Sequence, residues 1–446
     1  MSNVQFKVQP SGPLKGRIRV PGDKSISHRS IMLGSIAEGT TTVTGFLEGD
    51  DSLATLAAFK AMGVEIEGPD NGNVTIHGVG LRGLKAPTHP LDMGNSGTAM
   101  RLMAGILAGQ AFDSELIGDA SLSKRPMRRV TEPLSLMGAE IETAEGGTPP
   151  LKIKGKPDGL KAIDYELPMA SAQVKSCVLL AGLYANGKTC ATEPAPTRDH
   201  TERMLQGFGY PVEVQNLDEM RTKACLEGGG KLKATHIDVP SDISSAAFFM
   251  VAAAIVPGSD VVIEHVGINP TRTGVIDILK AMGADITLEN ESTVGGEPVA
   301  DIHVRYAPLK GIEIPPHLVP LAIDEFPVLF VAASVAEGTT VLSGAEELRV
   351  KESDRIQVMA DALHTLGVDA QPTEDGMIIQ GGTFQVQNGE IQSHHDHRIS
   401  MAMAVAGALA PSEIVIDDCA NVNTSFPTFI ELANTIGLKV RSEVQE

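Results

Sequence analysis

One pattern recurs six times along this 446-residue chain, at a spacing of about 70–85 residues. Each copy holds two helical stretches. The first is rich in small and apolar residues and ends at a turn before a strand, at 35–40, 106–110, 183–188, 255–259, 334–339 and 408–412. Glycine stands at that turn in five copies (Gly39, Gly109, Gly187, Gly258, Gly338) and Pro411 in the sixth. The second stretch is amphipathic and stops at Gly63, Gly138, Gly209, Gly283, Gly367 and Gly437, glycine being the expected C-terminal cap of a helix. Alternating strands follow, such as Val64-Glu65-Ile66 and Ala284-Asp285-Ile286. A helix that is apolar on all sides has to be buried, whereas an amphipathic one can lie on an outer face. Each copy therefore puts one helix inside with strands around it. Ordinary solenoid repeats are shorter, roughly 20–50 residues. Three copies per half make domains of about 220 residues, within the usual range, with the break at 231–240 and the second half beginning at Ser241.

Composition narrows the classes of function. The chain has 42 % hydrophobic and 21 % charged residues, as a globular protein does, but no tryptophan and only 4 % aromatics. Its core must be built from Ala, Val, Ile, Leu and Met, so helices can approach closely. A net charge of -20 argues against broad binding of nucleic acid or an anionic membrane, and any anionic ligand needs a local pocket. The four cysteines (Cys177, Cys190, Cys225, Cys419) show no C-x-x-C spacing and read as core thiols in a reducing compartment. No long apolar stretch opens the chain, and the longest strongly apolar run, 246–256, is too short to span a bilayer. The expected location is the cytoplasm.

The starts of the apolar helices carry polar groups in every copy: Asp23-Lys24-Ser25, Gly94 to Thr98, Ala170 to Gln173, Ser241 to Ser245, Asp324-Glu325-Phe326-Pro327 and His395-Asp396-His397-Arg398. Helix N-caps account for the Ser, Asp and Asn there. They do not account for Lys24, Arg29, Gln173, Lys175 and Arg398, nor for the cations that open the amphipathic helices: Lys124, Arg125, Arg198, Arg272, Lys351 and Arg355. Helix N-termini together with cations describe a polyanion site. In the first copy Arg29 lies four residues after Ser25, so hydroxyl and guanidinium share one helix face. Asp324 and Glu352 lie beside Lys24, Lys351 and Arg355 if the copies pack symmetrically, and a cationic setting keeps a carboxylate ionised and able to take a proton.

Two other motifs carry less than they promise. Gly182 to Thr189 matches the phosphate-binding pattern G-x-x-x-x-G-K-T, but that loop must follow a strand and open a helix. Here the helix of 174–183 precedes it and a strand follows. His394, His395, Asp396 and His397 suggest a metal cluster, yet four adjacent residues cannot all face one ion.

The motifs Gly22-Asp23-Lys24-Ser25-Ile26-Ser27-His28-Arg29, Gly94-Asn95-Ser96-Gly97-Thr98-Ala99-Met100-Arg101, Lys124-Arg125-Pro126-Met127, Leu348-Arg349-Val350-Lys351-Glu352-Ser353-Asp354-Arg355 and Asp396-His397-Arg398 occur in this order along nearly the whole chain. In them the chain resembles the 5-enolpyruvylshikimate-3-phosphate synthase family. Ser171-Ala172-Gln173-Val174-Lys175, Arg198-Asp199-His200-Thr201-Glu202 and Asn269-Pro270-Thr271-Arg272 look like markers of its class II branch, often tolerant of glyphosate.

The resemblance implies an α/β fold, a two-domain inside-out barrel of six βαβαββ repeats with buried parallel helices. One domain is expected to combine 1–20 with 241–446, the other to span 21–240, with the active site in the cleft between them. The implied reaction transfers the enolpyruvyl group of phosphoenolpyruvate to the 5-hydroxyl of shikimate 3-phosphate and releases phosphate, without a metal or an organic cofactor. Lys24, Asp324 and Glu352 are the implied catalytic residues. Lys24, Ser25, Arg29, Ser171, Ala172, Gln173, Arg198, Asp324 and Lys351 are expected to hold shikimate 3-phosphate, and Lys24, Gly97, Arg125, Gln173, Arg355 and Arg398 to hold phosphoenolpyruvate. The expected partners are these two small molecules, with no nucleic acid, no membrane and a monomeric chain. One departure stands out: many class I relatives carry a lysine before the Thr-Phe-Pro near the C-terminus, where Thr424 precedes Ser425-Phe426-Pro427 here. A sister family that uses UDP-N-acetylglucosamine typically carries a cysteine in the loop that reads Gly118 to Arg125 in this chain, and this loop has none.

Overall fold

A computed structural model describes residues 3–386 and 390–446. The chain divides into two compact units. The N-proximal unit comprises Gly22–Pro240 and Thr293–Glu297, and the C-proximal unit comprises Met1–Pro21, Ser241–Ser292 and Pro298–Glu446. Both are mixed α/β.

Six helices make up the N-proximal unit: α1 (Lys24–Ile36), α2 (Asp50–Ala61), α3 (Gly97–Ala108), α4 (Arg128–Leu136), α5 (Ala172–Gly182) and α6 (His200–Gly207). The first, third and fifth are buried along nearly their whole length, as helices without a polar face must be. Their small residues allow close packing. A Cβ built on Gly105 of α3 would lie 2.4 Å from the Cys177 carbonyl oxygen of α5, so these two helices meet backbone to backbone with no room for a methyl. Three sheets of one pattern surround them. In each, a short strand runs parallel to the strand that follows the buried helix, and that strand pairs antiparallel with the second arm of a hairpin. Asp164–Glu166, Lys188–Glu193, Thr222–Glu227 and Glu213–Asn216 form one such sheet. The segment Thr293–Glu297 belongs to this unit because Gly295 lies directly on α6, where a Cβ on Gly207 would come within 2.3 Å of the Gly295 carbonyl.

The C-proximal unit contains α7 (Ile243–Ile255), α8 (Gly274–Ala281), α9 (Phe326–Val335), α10 (Arg355–Thr365), α11 (His397–Gly407), α12 (Val422–Ser425) and α13 (Phe429–Ile436). All 13 residues of α7 are buried, among them Phe248 and Phe249. At about 1.5–3 kcal/mol for each large apolar side chain removed from water, this helix is stable only as a core element. Phe249 packs on Phe426 and Phe429, which themselves meet edge to face at 5.5 Å. The first strand, Asn3–Gln9, pairs antiparallel with Lys439–Gln445, from Asn3 opposite Gln445 to Gln9 opposite Lys439. No helix among the described residues is long and apolar enough to cross a membrane.

The punctuation of the helices follows local chemistry. Asp23, Ser96, Ser171, Asp242 and Asp396 each accept a hydrogen bond from a backbone N–H in the first turn of a buried helix, at 3.0–3.3 Å. The sixth, α9, instead grows out of a 3₁₀ turn at Ile323–Glu325 and has Pro327 in its first turn. Gly63, Gly138, Gly209, Gly283, Gly367 and Gly437, which follow or cap the amphipathic helices, all have φ between 75° and 112°, a left-handed backbone that costs a residue with a Cβ about 1–2 kcal/mol.

The cysteines need a correction. Cys177 and Cys419 are buried free thiols, and burial pushes the Cys419 thiol up to about 12. Cys190 and Cys225 are not free: they stand opposite each other on antiparallel strands, 4.1 Å apart at Cα, and form a disulfide. Strand register brings them together across 35 residues of sequence, which their spacing could not show. Only two of the four expected core thiols remain.

Candidate functional site

In the N-proximal unit the starts of α1, α3 and α5 and the approaches to α4 and α6 hold the site residues expected there. Lys24 is exposed and its Nζ pairs with Asp51 Oδ2 at 2.5 Å. Ser25 and Arg29 do share a face of α1, but the guanidinium turns inward. Its Nη1 donates to the Ser25 carbonyl oxygen (3.1 Å), its Nε to Thr201 Oγ1 (2.8 Å) and its Nη2 to Ser176 Oγ (3.3 Å). Burial, partly offset by Asp23 and Glu202, pulls its proton affinity below the ordinary arginine value. Arg29 therefore ties α1 to α5 and α6.

Gly97 opens α3 between two arginines. A Cβ placed on it would stand 3.0 Å from Arg125 Nη1 and 3.2 Å from Arg101 Nη1. Arg125 Nη2 donates to Asn95 Oδ1 at 3.2 Å. Arg101 donates to Gln173 Oε1, and Gln173 Nε2 in turn to Thr98 Oγ1 at 2.8 Å. Half-burial first, and then the charges of Arg129 and Arg125, lower the proton affinity of Arg101. Cations that destabilise one another in this way gain when an anion binds. Ser171 caps α5, with Ala172 and Gln173 beside it in the first turn, and Arg198 lies two residues before α6.

In the C-proximal unit Asp324, Lys351, Glu352, Arg355 and Arg398 converge. Asp324 Oδ1 lies 3.5 Å from Lys351 Nζ and 3.6 Å from Arg355 Nη1, and its carbonyl oxygen accepts from Arg398 Nη1 at 3.3 Å. Glu352 is about half exposed and meets Arg355 Nη2 at 2.6 Å. Beneath them lies Asp396, fully buried, which accepts from Arg355 Nε (2.9 Å) and Ser353 Oγ (2.8 Å) while capping α11. Burial alone would pull Arg355 down, but Asp396, Glu352 and Asp324 hold it above its ordinary value. Asp396 resists its own burial through Arg355 and Ser353 and stays below the usual carboxylate range. Burial, then Arg398, lowers His397 to about 4.

Other residues fall into structural roles. Arg272 Nη2 bonds Asp242 Oδ1 (3.0 Å) and Ser244 Oγ (2.9 Å), bracing the start of α7. Thr424 Oγ1 donates to the Asn421 carbonyl at 2.7 Å. The G-x-x-x-x-G-K-T match lies between α5 and the strand Lys188–Glu193, the reverse of a phosphate loop. His395 pairs with Asp418 at 2.6 Å. Among the described residues, the one trio with metal-ligand spacing is Glu65, Glu67 and His77, on an exposed hairpin.

Sequence alone gives Arg101 no role, Asp396 none beyond a helix cap, and Ser176 and Thr201 none. The first two stand inside the quoted motifs, at the position of a helix cation and an N-cap, and the charge of Arg101 on a buried helix was the available signal. Thr201 also lies in a quoted motif, Arg198 to Glu202, but neither it nor Ser176 carries a signal of its own, since a buried hydroxyl bonded to Arg29 looks like any helix serine or threonine.

A family description, EPSP synthase (3-phosphoshikimate 1-carboxyvinyltransferase), matches residues 8–432. The chain is 79 % identical over 439 residues to a 3-phosphoshikimate 1-carboxyvinyltransferase of Hydrogenovibrio crunogenus, which covers 98 % of both chains. It is 66 % identical over 438 residues to one of Methylococcus capsulatus, again with 98 % of each covered. A solved EPSP synthase of Acinetobacter baumannii superposes with a TM-score of 0.95 at 62 % identity, covering 99 % of this chain and all of that one.

Proposed function

The chain belongs to the EPSP synthase family, the 3-phosphoshikimate 1-carboxyvinyltransferases, and from that premise we propose how its own residues divide the work. The protein is an enzyme of the shikimate pathway of aromatic amino-acid biosynthesis: it transfers the enolpyruvyl group of phosphoenolpyruvate to the 5-hydroxyl of shikimate 3-phosphate and releases phosphate.

In the proposed division, Ser25, Arg29, Ser171, Ala172, Gln173 and Arg198 receive shikimate 3-phosphate with Lys24, Asp324 and Lys351. Lys24, Gly97, Arg125, Gln173, Arg355 and Arg398 receive phosphoenolpyruvate. Arg29, already tied to three neighbours, acts by shaping the pocket as much as by charge. The hydroxyl oxygen must lose its proton and bond to the substituted carbon of phosphoenolpyruvate, whose methylene takes up a proton; loss of that proton and of phosphate then restores the double bond. Asp324 and Glu352, with Lys24, are the proposed proton movers, and the cations offset the charge of two anionic substrates. One observation carries this assignment: Lys351, Arg355 and Arg398 converge on Asp324, and Glu352 stands beside Arg355 with about half of its side chain exposed.

We propose further that each of the two domains is an inside-out α/β barrel, six βαβαββ repeats in all. The repeated sheet order supports it. A monomer in the cytoplasm, bound to no nucleic acid, completes it. A coupled assay of phosphate release tests the reading. Release is expected with shikimate 3-phosphate and phosphoenolpyruvate together and none when UDP-N-acetylglucosamine replaces shikimate 3-phosphate; the opposite pattern would refute it.

A further inference from the structure

The two polar stretches Ser171–Lys175 and Arg198–Glu202 are separate in sequence but joined inside the N-proximal unit by a buried ionic triad. Lys175, in the first turns of α5, places its Nζ 3.0 Å from Glu202 Oε2 of α6, and 3.1 and 3.2 Å from the two carboxylate oxygens of Glu193. These three residues are only 2 %, 5 % and 4 % exposed, in the order Lys175, Glu202, Glu193. Glu193 ends the strand Lys188–Glu193, and its Oε2 also accepts from Thr197 Oγ1 at 2.5 Å, one residue before Arg198. A second layer continues the connection: Thr201 Oγ1 donates to Ser176 Oγ at 2.8 Å, and Arg29 of α1 binds both.

Such a triad is a poor way to gain stability. Taking ions out of water costs several kcal/mol each, and well-packed apolar residues of similar volume commonly do as well or better. This one also carries two carboxylates for one ammonium, and Glu202 Oε1 has no hydrogen-bond partner. What the arrangement does supply is position. Lys175 lies two, three and four residues after Gln173, Ala172 and Ser171, so fixing its ammonium fixes the first turn of α5. Glu193 and Glu202 flank Arg198 in sequence, at five residues before and four after.

We propose that Lys175, Glu193 and Glu202 form a positioning triad that sets the distance between the Ser171–Gln173 turn and Arg198, and so determines affinity for the phosphorylated cyclic substrate rather than for phosphoenolpyruvate. The proposal rests on the reading that shikimate 3-phosphate occupies these residues. Lys175 does not touch the substrate and takes no part in proton transfer.

Removing Lys175 alone would strand two buried carboxylates and endanger folding, so the test uses the charge-free triple variant Lys175→Met/Glu193→Gln/Glu202→Gln, which keeps side-chain volume. Its thermal midpoint is expected to stay near that of the wild type, while KM and the calorimetric Kd for shikimate 3-phosphate rise at least tenfold and KM for phosphoenolpyruvate changes less than threefold. A folded triple variant with an unchanged Kd for shikimate 3-phosphate would show that the triad only holds the fold. Equal rises for both substrates would show general loosening, and either result overturns the proposal. Should the triple variant not fold, Glu193→Gln, which leaves the Lys175–Glu202 pair intact, decides: the Kd for shikimate 3-phosphate rises threefold or more, or the proposal fails. Wild-type protein that neither binds shikimate 3-phosphate nor releases phosphate from it with phosphoenolpyruvate would remove the functional reading itself, and this inference with it.

Discussion

Glu352 is the carboxylate of the C-proximal cluster best placed to exchange protons, because it is half exposed while one oxygen is already held by Arg355 at 2.6 Å. Glu352→Gln retains size and a hydrogen bond to the guanidinium but removes the titratable group. Steady-state kinetics should show kcat lowered by roughly 10²-fold or more, with substrate affinities largely kept; a variant of full activity removes Glu352 from the mechanism. Gly97 is constrained by contact rather than by backbone, since a Cβ there meets Arg125 Nη1 at 3.0 Å and Arg101 Nη1 at 3.2 Å. Both are ends of flexible side chains and can yield by a few tenths of an ångström. The methyl of Gly97→Ala would thus push the two guanidiniums away from α3 and narrow the space for an anion longer than phosphoenolpyruvate. Glyphosate inhibition should weaken at least tenfold, about 1.4 kcal/mol, with a smaller rise in KM for phosphoenolpyruvate. Parallel changes in both constants would mean that the pocket as a whole is distorted.

At the scale of the element, the recurrent stop after each amphipathic helix is a backbone requirement that can be separated from packing. Gly138 follows α4 at φ 90°, and a Cβ built there meets nothing within 4 Å. Gly138→Ala should therefore cost only the left-handed backbone, about 1 kcal/mol in urea unfolding. Gly138→Asn, whose side chain tolerates this conformation better, should cost less. If Ala and Asn are equally harmless, the turn is not held in this conformation in solution. Gly105 is the contrasting case, since its neighbour is the Cys177 carbonyl at 2.4 Å and any side chain must push α3 off α5.

Across the whole molecule, each unit carries a neutral histidine, His28 fully buried and His397 partly buried. His28 is lowered to about 4, first by burial and then by Lys24, and His397 to about 4, first by burial and then by Arg398. Between the ordinary histidine value of 6.5 and about 4, the unfolded chain binds protons at these sites that the native protein does not. The contribution of these two sites is thus full above 6.5 and falls as the pH drops toward 4, by about 3 kcal/mol for His28 and less for the partly exposed His397. Glu202, raised by burial, acts in the opposite sense with one proton against two. The contribution of Asp396 disappears only below about 3.8, its ordinary value. Urea midpoints should accordingly decline from pH 6.5 to 4, and His28→Asn should make that decline shallower whatever its effect on the midpoint itself. A pH-independent midpoint across this window, or imidazole resonances of His28 and His397 that titrate near 6.5, would contradict the burial argument.

Which of these features the sequence determines alone depends on their range. Helix caps, glycine stops and the contrast between an apolar and an amphipathic helix act within one or two turns, so Asp23, Ser96, Ser171, Asp242 and Asp396 could be read as caps, and Gly138 as a stop, before any coordinates. The same local logic shows that Gly182 to Thr189 is no phosphate loop, because the order of helix and strand decides it. Long, ordered motifs were enough to indicate the family. Pairings between distant residues were not legible. The disulfide of Cys190 and Cys225 needs strand register, the inward turn of Arg29 needs hydroxyls from two other helices, and Arg355 finds Asp396 41 residues along the chain. Periodicity tells which face of a helix is buried, but not what is buried against it. In sequence Lys175 reads as one more cation of the anion site and Glu202 as an ordinary surface charge; only the packing of α5 against α6 and the strand ending at Glu193 removes water from them, spends the ammonium on two carboxylates and makes three charges into one device.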